Sequence, residues 1–235
     1  MQRLVWLMLV AGIVFNYGCQ ADASKEEASS TTNEGMAAEK ASESANTTAA
    51  TILNPNLASK EELLALSQID EDLAQQIIDN RPFLNVKDFH QLLLGTLDEG
   101  SMETFLSVCF VPLNLNMASK EEFLMVPGVG EKMAHEFEEY RPYKKVAQFR
   151  REMGKYVNDA EIARYEKYVF VPLELNSATD EEMLGIPGVG DRLLHEFKEY
   201  RPYKSIEQFR REIGKYVDDK ELARLERFFH LDMEN

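Results

Sequence analysis

Residues 113–143, LNLNMASKEEFLMVPGVGEKMAHEFEEYRPY, return sixty residues later as LELNSATDEEMLGIPGVGDRLLHEFKEYRPY at 173–203. Laid together without a gap, 113–172 and 173–232 share 34 identities, and 53–112 fits the same frame more loosely. Asn56, Asn116 and Asn176 stand in one column, Arg81, Arg141 and Arg201 in another, and Phe89, Phe149 and Phe209 in a third. Duplication at a fixed period sets the architecture before any single residue is read. From residue 52 onward the chain reads as three small units of one type: 52–112, 113–172 and 173–235.

Each unit reads as four short helices, so the expected fold is all-α. Ser59-x-x-Glu62, Ser119-x-x-Glu122 and Thr179-x-x-Glu182 are capping boxes, in which the hydroxyl takes an orphan backbone N–H and the glutamate reaches back. Ala58, Ala118 and Ala178 precede them, with Leu63, Phe123 and Met183 placed to form a hydrophobic staple. The first helix ends at Pro127-Gly128-Val129-Gly130 and Pro187-Gly188-Val189-Gly190. A second helix carries Met133, Ala134, Phe137 and Tyr140 at spacings of three and four, and Arg-Pro stops it. Val146, Phe149 and Met153 mark a third. A fourth starts near Asn158 or Asp218 and is expected to run to Phe170 or Phe229. No long stretch alternates with period two, which predicts no sheet.

Helix, Pro-Gly-Val-Gly, helix resembles the helix-hairpin-helix motif. The whole frame, with Asn-x-Asn, Ala-Ser-x-Glu-Glu, the turn, Arg-Pro and an aromatic before the third helix, resembles the competence DNA-uptake (ComEA) family over about 52–235. That resemblance implies two successive hairpins packed into one four-helix unit that binds DNA without sequence preference. The extrinsic photosystem II protein PsbU looks like a relative of the same fold that works in a protein assembly, so the fold alone leaves the function open.

The chemistry of the turn points the same way. Glycines permit a tight turn, and the following helix begins with unpaired N–H groups and the positive end of its dipole, which suits a phosphate oxygen. The expected contacts are Gly128, Val129, Gly130 and Lys132 in the second unit and Gly188, Val189, Gly190 and Arg192 in the third. Arg150, Arg151, Lys155, Arg210, Arg211 and Lys215 are candidates for secondary contacts. Glu131 and Asp191 complement the helix dipole and would also compete with a phosphate. The bland reading is that Pro-Gly-Val-Gly is only a tight connection between helices. Unit one bears on this: its turn is Ser67-Gln68-Ile69-Asp70, and Lys132, Arg150, Arg151 and Lys155 are replaced there by Asp72, His90, Gln91 and Gly95. Glycines and basic residues are lost together, as loss of an anion site or plain divergence would produce. Arg141 and Arg201 are retained in unit one as Arg81 and so read as structural.

Residues 1–18 carry Arg3 and an apolar run from Leu4 to Phe15, too short for a comfortable membrane span and suited to a signal segment. Gly18-Cys19 resembles a bacterial lipoprotein signal, which implies lipidation of Cys19 and a membrane tether; plain secretion and an uncleaved anchor are the alternatives. Residues 19–51 are rich in Ala, Ser, Thr and Glu, a composition expected of a disordered tether. Cys109 is expected to be a buried thiol.

The chain's net charge is −15. That excludes a general polycation but not a local basic site. Unit one has 3 basic and 10 acidic residues, unit two 10 of each, and unit three 10 and 15. His135 and His195 have no clustered partners, so no metal or other cofactor is expected, and no arrangement of nucleophile and base suggests an enzyme. The expected function is salt-sensitive binding of double- or single-stranded DNA by an exported, membrane-tethered protein, on the periplasmic side of a membrane or at the cell surface. The alternative is an acidic helical scaffold for a protein partner.

Overall fold

The computed structural model describes residues 52–232. The signal segment, Cys19 and the tether lie outside the described residues, as do the last three residues of the chain.

Among the described residues, twelve helices fall into three sets of four. They are α1 (Lys60–Leu64), α2 (Glu71–Asp79), α3 (Val86–Leu93) and α4 (Glu99–Leu106); α5 (Lys120–Leu124), α6 (Glu131–Glu139), α7 (Val146–Met153) and α8 (Asp159–Tyr165); and α9 (Asp180–Leu184), α10 (Asp191–Glu199), α11 (Ile206–Ile213) and α12 (Asp219–Glu226). Every helix begins sixty residues after its predecessor in the preceding set. The three capping boxes form as expected, and Leu63, Phe123 and Met183 are fully buried behind them.

Two expectations are corrected. The fourth helix of a set does not reach the phenylalanine: α8 ends at Tyr165 and α12 at Glu226. The residues beyond are extended and pair with the start of their own set. β1 (Leu113–Asn114) lies parallel to β2 (Val169–Phe170), β3 (Leu173–Glu174) lies parallel to β4 (Phe229–His230), and Leu53 bridges Cys109 in the first set. A little strand is therefore present. Parallel pairing needs a long crossover, and the four helices supply it. Pairs too short to show a period-two pattern escape a sequence reading.

Each set is also closed by side chains that recur at sixty residues. Asn116 Nδ2 donates to Tyr143 O at 2.8 Å, and its Oδ1 accepts from Tyr143 N at 2.7 Å. Asn56 holds Phe83 in the same way, and Asn176 holds Tyr203. Arg141 Nε donates to Leu115 O at 2.5 Å and its Nη2 to Ala118 O, contacts repeated by Arg81 and Arg201. These arginines tie the end of the second helix back to the segment before the first, which is a structural role.

Aromatic rings fill the interior. Phe137 packs against Phe123, Phe149 and Tyr165 at centroid distances of 5.1, 5.5 and 5.2 Å. The first two sets share one continuous apolar cluster from Ala58 to Val171, to which Phe110 and Tyr168 contribute an edge-on pair at 5.1 Å. The third set has its own cluster around Phe197, Phe209 and Leu225. It is linked to the others by both polar and aromatic contacts: Arg227 Nη2 donates to Pro112 O at 2.8 Å, Asn114 Nδ2 donates to Arg227 O at 3.0 Å, and Phe170 packs on Phe228 at a centroid distance of 4.4 Å. Burial pulls the Arg227 guanidinium down to about 10, so it is still charged at neutral pH. Cys109 is buried and unpaired with another cysteine, and burial pushes its thiol up to about 12. Among the described residues, no helix is long and apolar enough to cross a membrane.

Candidate anion-binding turns

The α5–α6 connection is closed by Val129 N donating to Val126 O at 2.9 Å, and the α9–α10 connection by Val189 N donating to Ile186 O at 3.0 Å. In both, the first glycine lies in the left-handed region, with φ of 76° at Gly128 and 86° at Gly188. The second glycine is extended and serves as the N-cap of the next helix, with no side-chain cap on either Gly130 or Gly190. A Cβ at Gly130 or Gly190 would meet nothing within 4 Å, so neither packing nor conformation demands glycine there.

Helix N-termini are normally satisfied by a side chain. Unit one follows that rule: Asp70 stands in the place of Gly130, and its carboxylate accepts from Leu73 N at 2.8 Å. The corresponding amides of Met133 and Leu193 have no such acceptor among the described residues. The turns are solvent-exposed at both glycines, while Val129 and Val189 are buried. The valines therefore contribute packing, and their amides are committed within the turn. What faces solvent is the run of amides at the start of α6 and α10.

Flanking charges differ between the two turns. Glu131 is paired with Lys120 at 2.6 Å, so its negative charge is partly offset. In unit three the position of Lys120 is held by Asp180, which pairs with Lys198 at 2.7 Å, and Asp191 has no cationic partner among the described residues. Lys132 lies 5.3 Å from the Tyr156 ring centroid. Arg192 is exposed. The α5–α6 turn is thus electrostatically the more favourable anion site.

The six residues considered for secondary contacts are all paired within their own unit. Arg150 makes a two-pronged bond to Glu166 at 2.5 and 2.9 Å, and Arg210 makes one to Glu226 at 2.7 and 2.6 Å. Arg151 and Lys155 share Glu152, and Arg211 and Lys215 share Glu212. A phosphate would have to compete with those carboxylates, although two cations on one glutamate leave one positive charge in excess at each site. Lys155 also sits 4.6 Å from the Tyr140 ring, and Tyr140 and Tyr156 join hydroxyl to hydroxyl at 2.8 Å. Tyr200, Tyr216 and Lys215 repeat the arrangement.

A residue pair that sequence reading did not single out underlies both turns. Arg164 on α8 donates through Nη1 to Pro127 O and makes a two-pronged bond to Glu161 at 2.9 and 2.6 Å. Arg224 makes the same bond to Glu221, at 2.7 and 2.6 Å, and is 2% exposed. The signal for them was present in the sixty-residue frame, where Thr104 replaces the arginine in the unit that also lacks the glycine.

His135 and His195 are exposed, and His195 lies 3.2 Å from Glu199. Among the described residues, no group of three or more His, Cys, Asp or Glu side chains is placed to hold a metal ion. No family model, curated protein or solved structure matches this chain.

Proposed function

We propose that this chain is an exported, membrane-tethered protein of helix-hairpin-helix units that binds the DNA backbone without sequence preference. The contacts are the α6 and α10 N-terminal amides, with Lys132 and Arg192 beside them. One observation carries the reading: helices α6 and α10 have glycine at a cap position where glycine has no steric purpose, and where unit one supplies an aspartate. Leaving the amides open costs a little helix stability and suits a phosphate oxygen. Two weak sites joined in one chain raise each other's effective concentration. Lipidation of Cys19 supplies the tether, and the activity proposed is binding, not catalysis.

The decisive experiment installs the missing cap. Gly130→Asp and Gly190→Asp together place a carboxylate on the open amides. The expected outcome is a melting temperature at or above that of the parent, because aspartate is a better cap than glycine. Duplex affinity, read by fluorescence anisotropy at low salt, should fall by about tenfold or more as a phosphate ligand is replaced and repelled. Equal affinity in the parent and the capped variant, or no binding by the parent at low salt, would sink the proposal.

A second reading has its own observation. A groove of about 900 Å³ opens where the three sets meet, lined by Leu84, Leu113, Met117, Ile206 and Phe229 among others. Met117 in that groove is 79% exposed. An interaction scaffold would use such a surface, and it predicts recovery of a protein partner from membranes by the chain with both caps installed.

A further inference from the structure

The three units form a natural comparison around one contact. At Gly128 an added Cβ would stand 3.1 Å from Arg164 Nη2, and at Gly188 it would stand 2.7 Å from Arg224 Nη2. The guanidinium fills the space a side chain would need. Unit one has no guanidinium there: Thr104 replaces the arginine, Gln68 replaces the glycine, and Ser101 replaces the glutamate that grips the arginine. Its turn is nonetheless closed by the same bond, Ile69 N to Leu66 O at 3.0 Å. A turn can therefore close without glycine or arginine, whereas in units two and three the glycine answers to a positive φ and to the arginine together.

Arg164 is anchored on three sides, whereas Arg224 keeps the two-pronged bond to Glu221 and lies 5.9 Å from the Phe228 ring, with its buried Nη1 unpartnered among the described residues. Glu161 takes Nε and Nη2 of Arg164, Pro127 O takes Nη1, and the guanidinium carbon lies 4.8 Å from the Tyr165 ring. Glu161 is held below the usual carboxylate range by that arginine, so the pair is ionised and internally neutral. With 30% of the Arg164 side chain and 2% of the Arg224 side chain exposed, neither is arranged to meet a phosphate directly. Arg164 fixes the Pro127 carbonyl at the entrance of its turn, and both guanidiniums pack against the glycine two positions before the open cap.

We propose that Arg164 and Arg224 are positioning residues for the anion-binding turns, each locking a Pro-Gly turn so that the amides after it present to DNA in a fixed geometry. The inference rests on the DNA-binding reading. It explains why unit one lost glycine, arginine, glutamate and open cap together: once the amides are closed by Asp70, nothing keeps the lock.

Amide hydrogen exchange and duplex anisotropy on the full chain test it together. In Arg164→Ala, exchange at Val129 should accelerate by about tenfold as the turn loses its support. Affinity should fall several-fold, while the slope of log affinity against log salt stays that of the parent, because no phosphate contact has been deleted. Arg164→Lys keeps the charge without the fork and should behave like the alanine variant. A slope reduced by about one would mark a direct phosphate contact and overturn the positioning role. Faster exchange with unchanged affinity would overturn it too, as would unchanged exchange. If Arg164→Ala does not fold, the triple variant Gly128→Gln/Glu161→Ser/Arg164→Thr copies a constellation that folds in unit one. It should keep the fold and lose affinity, and parent-like affinity would refute the proposal. Failure of the parent chain to bind any DNA would remove the DNA reading alone, since exchange at Val129 still reports whether Arg164 holds the turn.

Discussion

Asn116 accepts one bond from Tyr143 N and donates another to Tyr143 O, so a single amide satisfies both backbone groups of a residue 27 positions away. Tyr143 is 1% exposed, so water cannot replace the asparagine when it is removed. Asn116→Ala is expected to cost about 2–4 kcal/mol, as two buried backbone groups lose their partners. Urea unfolding followed by circular dichroism would measure it, and a loss below about 0.5 kcal/mol would show that the clamp is dispensable. At this scale the glycines separate into two kinds. Gly128 and Gly188 are required by a positive φ and an arginine packed against them, whereas Gly130 and Gly190 are required by neither. Only the second kind leaves a helix cap open, and it is the kind on which the proposed anion site rests.

The helices are five to nine residues long, too short to persist alone in water, so caps and tertiary contacts must hold them. Part of that support is ionic. Glu152 is held below the usual carboxylate range by hydrogen bonds from Lys155 and Arg151, and Glu212 likewise by Lys215 and Arg211. Glu161 is lowered by Arg164. For an acid depressed on folding, the unfolded chain binds the proton more readily. The stabilisation is then fully present above the unfolded value, about 4.3 for glutamate, and is lost as pH falls through the lower folded value. The melting temperature should therefore drop steadily between about pH 5 and pH 3. A profile that is flat over that range would mean the pairs contribute nothing. These pairs also account for the ambiguity of the basic residues on α7 and α11. In sequence they read as cations for a phosphate, and in the fold each has a carboxylate already.

Across the whole molecule the repeat is less uniform than its period. The first two sets share a core and the third has its own, joined to them through Arg227, Asn114 and the Phe170–Phe228 ring pair. Phe110→Ala removes a 1% exposed ring that packs on Tyr168, a change expected to cost about 3–5 kcal/mol. Hydrogen exchange should show amides of α2, α3, α6 and α7 losing protection together while those of α10 and α11 keep theirs. Loss of protection confined to the first set would contradict a shared core. Charge is equally uneven. The −15 total is concentrated in the first and third sets and the tether, leaving the second set balanced and its Glu131 paired. The proposed DNA binding is expected to depend more on the α5–α6 turn than on the α9–α10 turn, so Gly130→Asp alone should lower duplex affinity in fluorescence anisotropy more than Gly190→Asp alone.

The sixty-residue period, the capping boxes, the helix count and the structural role of Arg81, Arg141 and Arg201 were all legible in the sequence, because each depends on local spacing or on comparison between copies. The fourth helix and the paired ends were misread, since two-residue strands carry no pattern and Val169 and Phe229 become strands only by meeting Leu113 and Leu173. Of the candidate site, the sequence determined which residues form the turn. Only the tertiary structure showed that Val129 and Val189 face inward and that Arg164 and Arg224 pack against Gly128 and Gly188. The arginine contacts depend on which atoms meet across 36 or 37 residues of chain. Packing decides that, and no local pattern encodes it.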